Sequence, residues 1–143
     1  MTGKKPYPYP SFRFRIEIGG ITVAQVSDVT GLQIETETEP LEEGGNNDFI
    51  YQLPKRTKYQ NITLKRGITD LDEMWNWYQS VVIGKFIRKN GSIVLMDAAG
   101  EDKWCWNFHG AFPVKWTGPD LKSDGNTVAF ESIELAHHGI WKG

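Results

Sequence analysis

Three glutamates at alternate positions are the residues that most resemble a catalytic site in their type and spacing. Glu35, Glu37 and Glu39 share one face of a predicted strand, about 7 Å apart, a spacing that paired catalytic carboxylates can have. Neither a nucleophile nor an aromatic cleft accompanies them in the sequence. A repeated row of like charges is more typical of a solvated or contact face, so we interpret the row as non-catalytic.

A metal site is the second kind of functional site for which the sequence offers candidate residues. Cys105 and His109 are four residues apart, about 13 Å along one strand face, which is too far for both to bind one ion. His137 and His138 are adjacent, so on a strand they point to opposite faces. No Ser-His-Asp pattern, phosphate-binding loop or dinucleotide-binding motif is present. The sequence therefore predicts no enzyme, no metal and no cofactor.

Charge is distributed unevenly along a chain whose formal net charge is only −2 over 143 residues. Residues 32–48, LQIETETEPLEEGGNND, contain six acidic residues and no basic one. Residues 55–66, KRTKYQNITLKR, contain five basic residues and no acidic one. The near-neutral total, with a pI of about 5.9, gives no general attraction to nucleic acid.

The elements that must position these residues are mostly β-strands. Alternation of apolar and charged side chains in FRFRIEI, residues 12–18, predicts a strand with one dry face, and Gly19-Gly20 predicts a hairpin after it. Alternation and turn signals predict the remaining strands, at 21–27, 32–39, 59–66, 86–89, 92–97, 103–110 and 127–137. Pro40 is predicted to end the third strand, and Asn90-Gly91 to form a second hairpin turn.

One helix is predicted after the fourth strand. Its apolar stripe recurs at three- and four-residue steps and consists of Leu71, Met74, Trp75, Tyr78 and Val82. Thr69 or Asp70 is predicted to cap its start, with Glu73 completing a capping box. Trp77 lies two residues from Trp75, so the two indoles cannot both face one core, and one is predicted to meet another surface.

The predicted class is a mainly β (α+β) protein, an antiparallel barrel or sandwich of about seven or eight strands with one packed helix. Its length fits a single domain over residues 1–143, with an extended segment at 1–11. Residues 41–58 predict a loop that is long for a compact domain and therefore functional or disordered, with an extended tip at 49–53. Neither a secretory signal nor a membrane-spanning helix is predicted. Cys105 is the single cysteine, which excludes an internal disulfide.

Seven segments, in order along nearly the whole chain, carry a family resemblance. They are FRFRIEIGG (12–20), VTGLQIETETEPLEEGGNN (29–47), LPKRTKYQNITLKRG (53–67), DLDEMWNWYQ (70–79), IVLMDAAGEDKWCWNF (93–108), PVKWTGPDL (113–121) and IELAHHGI (133–140). As a set, they resemble the tail-tube proteins of contractile phage tails and of phage-tail-like contractile injection systems. No single segment would be specific enough alone.

The resemblance implies a structural protein. Members of the family form hexameric rings in which the strands of six subunits close one large barrel around a lumen. The rings stack into a tube that a contracting sheath drives through a target envelope. The implied partners are other copies of the chain, the sheath protein, baseplate or tube-initiating proteins, and cargo in the lumen, either a protein effector or DNA. The implied assembly site is the bacterial cytoplasm, without a direct membrane anchor, and the released particle can end up extracellular.

Within such a tube the charged segments have predicted roles. The 41–58 loop is implied to reach neighbouring subunits, and the acid of one subunit can meet the base of the next, which favours correct register. The predicted contact residues are Glu42, Glu43, Gly44, Gly45, Asn46, Asn47, Asp48, Lys55, Arg56 and Lys58. A solvated acidic loop is the alternative. The row Glu35, Glu37 and Glu39 is predicted to face the lumen, where negative charge would let acidic cargo pass without sticking; a neighbouring subunit or solvent are its alternatives.

Other functions stay open at this point. The chain could be the tube of a phage that conducts DNA, or a low-copy paralogue that starts or caps the tube at the baseplate. The long loop and its GGNN segment favour the injection-system branch. From a different class, a monomeric carbohydrate-binding β-sandwich would use the six tryptophans for stacking on sugars. That alternative predicts a solvent-exposed planar row of tryptophans and no self-association.

Overall fold

A computed structural model gives the structure of the chain and describes residues 7–8, 13–19, 21–23, 26–41, 49–123, 125 and 128–143, with the backbone alone at 21–23. The strands in this part are β1 (Phe14–Ile18), β2 (Ile21–Val23), β3 (Val26–Thr30), β4 (Ile34–Leu41), β5 (Tyr51–Tyr59), β6 (Ile62–Gly67), β7 (Lys89–Met96), β8 (Asp102–Thr117), β9 (Phe130–Ala136) and β10 (Gly139–Lys142). The helix α1 is Glu73–Val82. Among the described helical residues, no helix is long and apolar enough to cross a membrane.

The strands form two separate antiparallel sheets. Eight strands make a large sheet in the order β2-β1-β7-β8-β9-β6-β3, with β10 also paired to β8. The strands β4 and β5 pair only with each other within the described chain. This confirms the mainly β, antiparallel class with one helix. The large sheet is open, because no described pairing joins β2 to β3.

The 16-residue strand β8 connects two halves of the large sheet. Its first part pairs with β7, ending at Lys89↔Ala111. The strands β10 and β9 follow one another along its other edge, with Gly139 opposite His109 and Ala136 opposite Phe112. We call β2, β1, β7, β10 and the start of β8 the first half-sheet. The second half-sheet is β3, β6, β9 and residues 112–117 of β8.

Alternate residues of both half-sheets face one shared core. The largest buried apolar side chains of the strands are Ile16, Ile62, Leu64, Ile93, Phe108, Ile133 and Leu135. Burial of Ile16 and Ile18 confirms the dry face predicted for the first strand, whereas Phe12 of that prediction lies outside the described residues. Register pairs Trp104 with Leu95 and Trp106 with Ile93, which confirms that these indoles share the face of Phe108.

Three predicted boundaries differ from the structure. The hairpin after Ile18 is confirmed by the pair Ile18↔Ile21, but the predicted 21–27 strand is divided into β2 and β3, which lie at opposite ends of the large sheet. Pro40 does not end β4, since it pairs with Gln52 in a sheet that has free outer edges, where proline is tolerated. The part of the predicted long loop from Tyr51 onward is strand β5, and residues 42–48 lie outside the described residues.

The predicted turn at Asn90-Gly91 is wrong, because both residues lie inside strand β7. A Cβ atom on Gly91 would lie 2.3 Å from the ring of Phe108 and 2.7 Å from the carbonyl oxygen of Glu17. The glycine is therefore explained by the close approach of a core aromatic ring and a neighbouring strand. Turn propensity cannot distinguish these two uses of glycine.

The helix is shorter than predicted and rotated relative to its predicted stripe. Met74 and Trp77 are the buried residues of α1, whereas Val82 is 63% exposed. The indole Nε1 of Trp77 donates to the carbonyl of Ile87 at 3.3 Å. Trp75 is 42% exposed and packs edge-on against Trp116, with ring centroids 4.7 Å apart. The two indoles therefore do not face the core in the same way, and the predicted contact of one of them with another surface stays a prediction.

The predicted capping box is also wrong, and a buried arginine explains why. Asp72 is the N-cap and makes no capping hydrogen bond through its side chain. Glu73 instead accepts from Nη1 of Arg66 at 3.1 Å. Arg66 is 1% exposed, and its Nε donates to Glu131 at 2.9 Å while Nη2 donates to the carbonyl of Leu71 at 3.0 Å. This network joins β6, β9 and the start of α1.

We expect the stability that this network contributes at the start of α1 to depend on pH. The hydrogen bond from Arg66 holds the pKa of the Glu73 carboxyl below its ordinary value of 4.5. Because the folded-state pKa is the lower one, the stabilisation is fully present above pH 4.5 and is lost as the pH falls through the folded-state pKa. Glu73→Gln should be less stable than the parent at pH 7, by under about 1 kcal/mol for a partly exposed pair. Urea unfolding of both proteins from pH 7 into acid should show this gap closing; a gap that stays constant would contradict the assignment.

Candidate functional site

The strands β4 and β5 form an exposed two-stranded ribbon, which we call the β4–β5 ribbon. All of its residues are exposed except Glu37, which is partly buried. An isolated two-stranded sheet is marginally stable in water. The ribbon nevertheless presents apolar side chains to solvent, among them Ile34, Leu41, Tyr51, Leu53 and Tyr59. A second protein surface that covers the ribbon would remove this apolar area from water.

Register gives the ribbon two chemically different faces. On the neutral face, Ile34 lies opposite Tyr59, and the hydroxyl oxygens of Thr36 and Thr57 are 3.1 Å apart. On the charged face, the glutamates of β4 meet the basic residues of β5. Glu35 is paired with Lys58, and Glu37 lies at a β-bulge opposite Lys55 and Arg56, whereas Glu39 is paired with Leu53.

The charged face is compensated within the same ribbon. The ammonium group of Lys58 forms an ion pair and a hydrogen bond with the carboxylate of Glu37. This hydrogen bond, followed by the charges of Glu37 and Glu35, raises the pKa of Lys58. The acidic row of β4 and the basic residues of β5 therefore lie side by side in one ribbon. The counts of charged residues along the sequence did not reveal this arrangement.

The structure places the predicted site residues in two groups. Lys55, Arg56 and Lys58 lie on β5, exposed and beside the glutamate row of β4. Residues 42–48, which comprise the remaining predicted contact residues from Glu42 to Asp48, lie outside the described part of the chain. Both the inter-subunit contact and the lumen position of the glutamate row stay predictions.

The base of the ribbon is fixed to the body of the protein. The backbone N–H of Gln60 donates to the carbonyl of Gln33 at 3.2 Å, which brings the two ends of the ribbon together. The ring Nε2 of His137 lies 2.8 Å from the carbonyl oxygen of Gln60. Gly31 has a φ of +92°, and a Cβ there would lie 1.9 Å from the carbonyl oxygen of Asn61. These contacts hold the root of the ribbon while its length remains uncovered.

The second half-sheet has unpaired edges at both ends. Among the described strands, the outer edge of β3 pairs with none, and residues 112–117 of β8 pair with β9 alone. Exposed strand edges bind other strands readily, and proteins normally protect them. Two unpaired edges on one half-sheet allow head-to-tail addition of further copies.

Neither a metal site nor a planar sugar-binding row is found in the described part of the chain. None of its histidine, cysteine and carboxylate side chains form a group of three or more that could hold an ion. Trp104 and Trp106 are tilted by 49° to one another, and the ammonium of Lys142 lies 4.1 Å from the ring centre of Trp104. Sugar stacking on a flat pair of indoles is not supported by this arrangement.

The fold and these surfaces define the class of the protein: it is a mainly β protein whose unpaired strand edges and exposed ribbon suit self-assembly. Residues 10–141 match the model of the family described as T4-like virus tail tube protein gp19. The chain therefore belongs to this tail tube family. No curated protein matches the sequence.

Solved structures agree with the family. A chain of the extended PVC sheath–tube complex, an extracellular contractile injection system, is 28% identical, with a TM-score of 0.86 over 96% of this chain and 93% of that one. A chain of the anti-feeding prophage cap, a tube-terminating cap, is 26% identical, with a TM-score of 0.87 over 100% and 95% of the two chains. Hcp1 from Flavobacterium johnsoniae, at 16% identity and a TM-score of 0.58 over 91% and 94%, shares the fold alone.

Proposed function

We propose that this chain is the structural subunit of the inner tube of a contractile injection particle and has no catalytic role. Hexameric rings of the chain stack into a tube, and the lumen conducts cargo when the sheath contracts. The observation that carries the proposal is the second half-sheet, whose two outer edges pair with no strand of the described part of the chain. The likeness to chains of PVC and anti-feeding prophage particles supports the contractile setting.

Strand directions in the second half-sheet suit ring closure. Its order β3-β6-β9-β8 contains only antiparallel neighbours, so β3 and β8 run in opposite directions. When β3 of one copy lies beside residues 112–117 of the next copy, the antiparallel pattern continues across the boundary. Repetition by rotation closes a ring and leaves no free edge.

The β4–β5 ribbon is the proposed contact between neighbouring subunits. Its apolar residues are exposed, and on its charged face three glutamates lie beside three basic residues, of which Lys58 is ion-paired to Glu37, so a neighbour that covers the ribbon would bury little net charge. Residues 41–58 are the proposed inter-subunit segment of a single tube domain, 1–143. The glutamate row Glu35, Glu37 and Glu39 remains the proposed acidic element of the lumen, and a tube structure that places these side chains outside the channel would contradict it.

Further partners follow from the complexes in which similar chains are found. Those complexes are a sheath–tube assembly, a baseplate and a tube-terminating cap. We propose that this tube likewise contacts sheath, baseplate and initiator proteins, is assembled in the bacterial cytoplasm, and reaches the outside in the released particle. A phage tail tube or a low-copy baseplate paralogue is the alternative within the family.

Electron microscopy of the purified protein at increasing concentration tests the function. The expected result is rings with a central hole, or stacked tubes, in negative stain. A protein that stays monomeric alone should form tubes when baseplate proteins are added. Monomers under both conditions, together with binding to an immobilised polysaccharide, would contradict the tube function and favour the sugar-binding alternative.

Reversal of charge at Glu42 and Glu43 tests the contact segment. If the acidic segment of one subunit meets the basic segment of the next, Glu42→Lys with Glu43→Lys should block polymerisation through like-charge repulsion. Tube yield after sedimentation, with far-UV circular dichroism to verify folding, gives the readout. Adding Lys55→Glu and Arg56→Glu to the same protein should restore tubes. Unchanged tubes in the first variant would rule out the contact.

A further inference from the structure

We propose that the outer side of α1 is an assembly surface, that strand β3 of the next copy in the ring covers it, and that Trp75 contributes most to this contact. The inference rests on the tube function proposed above and adds a second contact to the pairing of β3 with β8. The surface consists of five exposed apolar residues, which we call the exposed strip: Leu71, Trp75, Val82, Ile83 and Phe86.

The exposed strip lies on a different face of the helix from the residues that pack on the core. Met74 and Trp77 are the buried residues of α1. Trp75 and Val82 are seven residues apart, which is about two helical turns, so they share a second face. The side chains of the strip are between 38% and 67% exposed. Apolar side chains grouped in this way on a protein surface mark a contact site.

The composition of this part of the chain also indicates a buried contact. Residues 74–84, MWNWYQSVVIG, contain no charged residue. A helix whose outer side faces water normally carries charged residues there, and charged residues are depleted in the centre of protein interfaces. The outer side of α1 therefore suits an apolar, uncharged partner surface better than it suits solvent.

The helix runs along the edge of β8 to which a second copy is proposed to add. Of the described elements, β8 is the one that α1 contacts most. The ring centroid of Trp75 lies 4.7 Å from that of Trp116 near the start of α1, and beyond its end Phe86 lies 5.0 Å from Phe112. Both partners belong to residues 112–117 of β8, whose outer edge pairs with no described strand. A neighbour that pairs with this edge comes to lie beside the exposed strip.

Register indicates which residues of the neighbour face the strip. One row of core-facing residues crosses the second half-sheet from Val29 through Leu64 and Ile133 to Trp116. The two ends of this row, Val29 and Trp116, are only partly buried in the single subunit. When β3 of one copy pairs with β8 of the next copy, Val29 lies on the same side of the joined sheet as Trp116 and α1.

The indole pair of Trp75 and Trp116 is the centre of the proposed contact. Val26 and Val29 are the apolar side chains with which β3 packs against its own core, and neither carries a charge or a hydrogen-bonding group. They can cover the two indoles, so that the apolar core of one subunit continues into the next. Tryptophan is enriched among the few residues that carry most of the binding energy of an interface. Trp75 is the largest side chain of the strip, so we expect its loss to weaken the contact most.

Cross-linking within assembled tubes tests which surface covers the strip. In a Cys105→Ser background, Ser27→Cys on β3 is combined with Gln79→Cys, which lies one turn after Trp75 on the same side of α1. A short bis-maleimide reagent then joins cysteines of adjacent copies. We expect a ladder of covalent species from dimer to hexamer on a denaturing gel, since each subunit offers one cysteine to each of its two neighbours.

A second cysteine on the same helix is the control for the cross-link. Asn76 is exposed and lies about 100° around the helix from Trp75. Asn76→Cys in place of Gln79→Cys should therefore give no ladder beyond that of Ser27→Cys alone. Tubes in which the Ser27→Cys and Gln79→Cys pair gives no ladder would overturn the proposed contact.

Substitution within the strip tests its share in assembly. Trp75→Ala should raise the protein concentration at which half of the chain is in tubes by about tenfold or more, as expected for a residue that carries much of an interface. Val82→Asp should act in the same direction, because it places a charge in the contact while the indole pair of Trp75 and Trp116 stays intact. Sedimentation measures the fraction in tubes, and thermal unfolding of dilute protein verifies that each subunit is folded.

Asn76→Asp is the matched control for Val82→Asp. It adds the same charge to the same helix outside the strip, and it should assemble at the concentration of the parent. Trp75→Ala also removes a contact within the subunit, so Val82→Asp decides the question if Trp75→Ala is unfolded. Assembly of folded Val82→Asp at the parental concentration would count against the strip.

The outcomes separate this inference from the function on which it rests. A parent protein that forms no tube under any condition refutes the tube function. Parent tubes together with normal assembly of Trp75→Ala and Val82→Asp refute the assignment of the strip alone. If these variants form tubes but no longer bind the sheath protein, the strip faces the sheath, which also overturns the contact with β3.

Discussion

Replacing Arg66 by methionine should lower the free energy of unfolding by about 3 to 5 kcal/mol, the cost of removing one partner from a buried ion pair. Arg66 and Glu131 are 1% and 7% exposed, and the guanidinium Nε is 2.9 Å from the carboxylate. Without the arginine, Glu131 keeps a buried charge that water cannot solvate, and Glu73 loses its ion pair at the start of α1. Urea unfolding of dilute, monomeric protein at pH 7 measures the change.

A double variant distinguishes the lost ion pair from lost volume. Arg66→Met with Glu131→Leu removes both charges, so much of the stability should return, since hydrophobic replacement of a whole buried pair is often neutral. Arg66→Lys should fall between the parent and Arg66→Met, because one ammonium cannot reproduce the forked hydrogen bonds to Glu131, Glu73 and Leu71. A loss below about 1 kcal/mol for Arg66→Met would show that water reaches the pair.

Periodicity in the sequence predicted the elements whose packing is local. The alternation around Ile16 and Ile18 is a direct consequence of one buried strand face. Trp104 and Trp106 likewise lie on the face of Phe108, although Trp104 is 39% exposed. Residue type alone misread Gly91, because a glycine that admits the ring of Phe108 resembles a glycine that makes a turn. The capping box at Glu73 was wrong for a similar reason, since Arg66 of strand β6 donates to its carboxylate.

Assembly surfaces were less predictable, because they depend on pairings between distant strands. Nothing near Lys65 in the sequence indicates that it lies beside both Asp28 and Ser132. Equally, the acidic and basic segments suggested contacts between copies, whereas Lys58 already pairs with Glu37 in its own ribbon. The family resemblance supplied the tube, which periodicity alone could not indicate.

The positions of the buried residues indicate which part of the chain stabilises the folded subunit and which part is left for contacts between subunits. The core consists of residues from the two half-sheets and α1, and no residue of the β4–β5 ribbon belongs to it. We therefore expect a subunit to fold without help from the ribbon, whereas in the proposed tube the apolar groups of the ribbon would be covered by another copy. Folding and polymerisation should thus be separable by substitution.

Replacement of residues 34–59 by an Asn-Gly turn should abolish tubes while the subunit remains folded. Gln33 and Gln60 are already joined by a hydrogen bond of 3.2 Å, so a two-residue turn can close the gap without moving either end. Subunit stability should change by about 1 kcal/mol or less, because the smaller closure entropy of a shorter connection offsets the removal of the exposed ribbon. Thermal unfolding and electron microscopy of the same preparation measure both effects.

A matched control, Thr36→Ser with Thr57→Ser, keeps the ribbon and its hydroxyl pair and should retain tubes. The ribbon is the proposed contact between neighbouring subunits. Without it, the pairing of β3 of one copy with β8 of the next should be too weak to hold the tube together. Tubes from the deleted protein would show that strand edges alone hold the assembly. An unfolded deletion would show that the ribbon belongs to the folding unit, against its absence from the core.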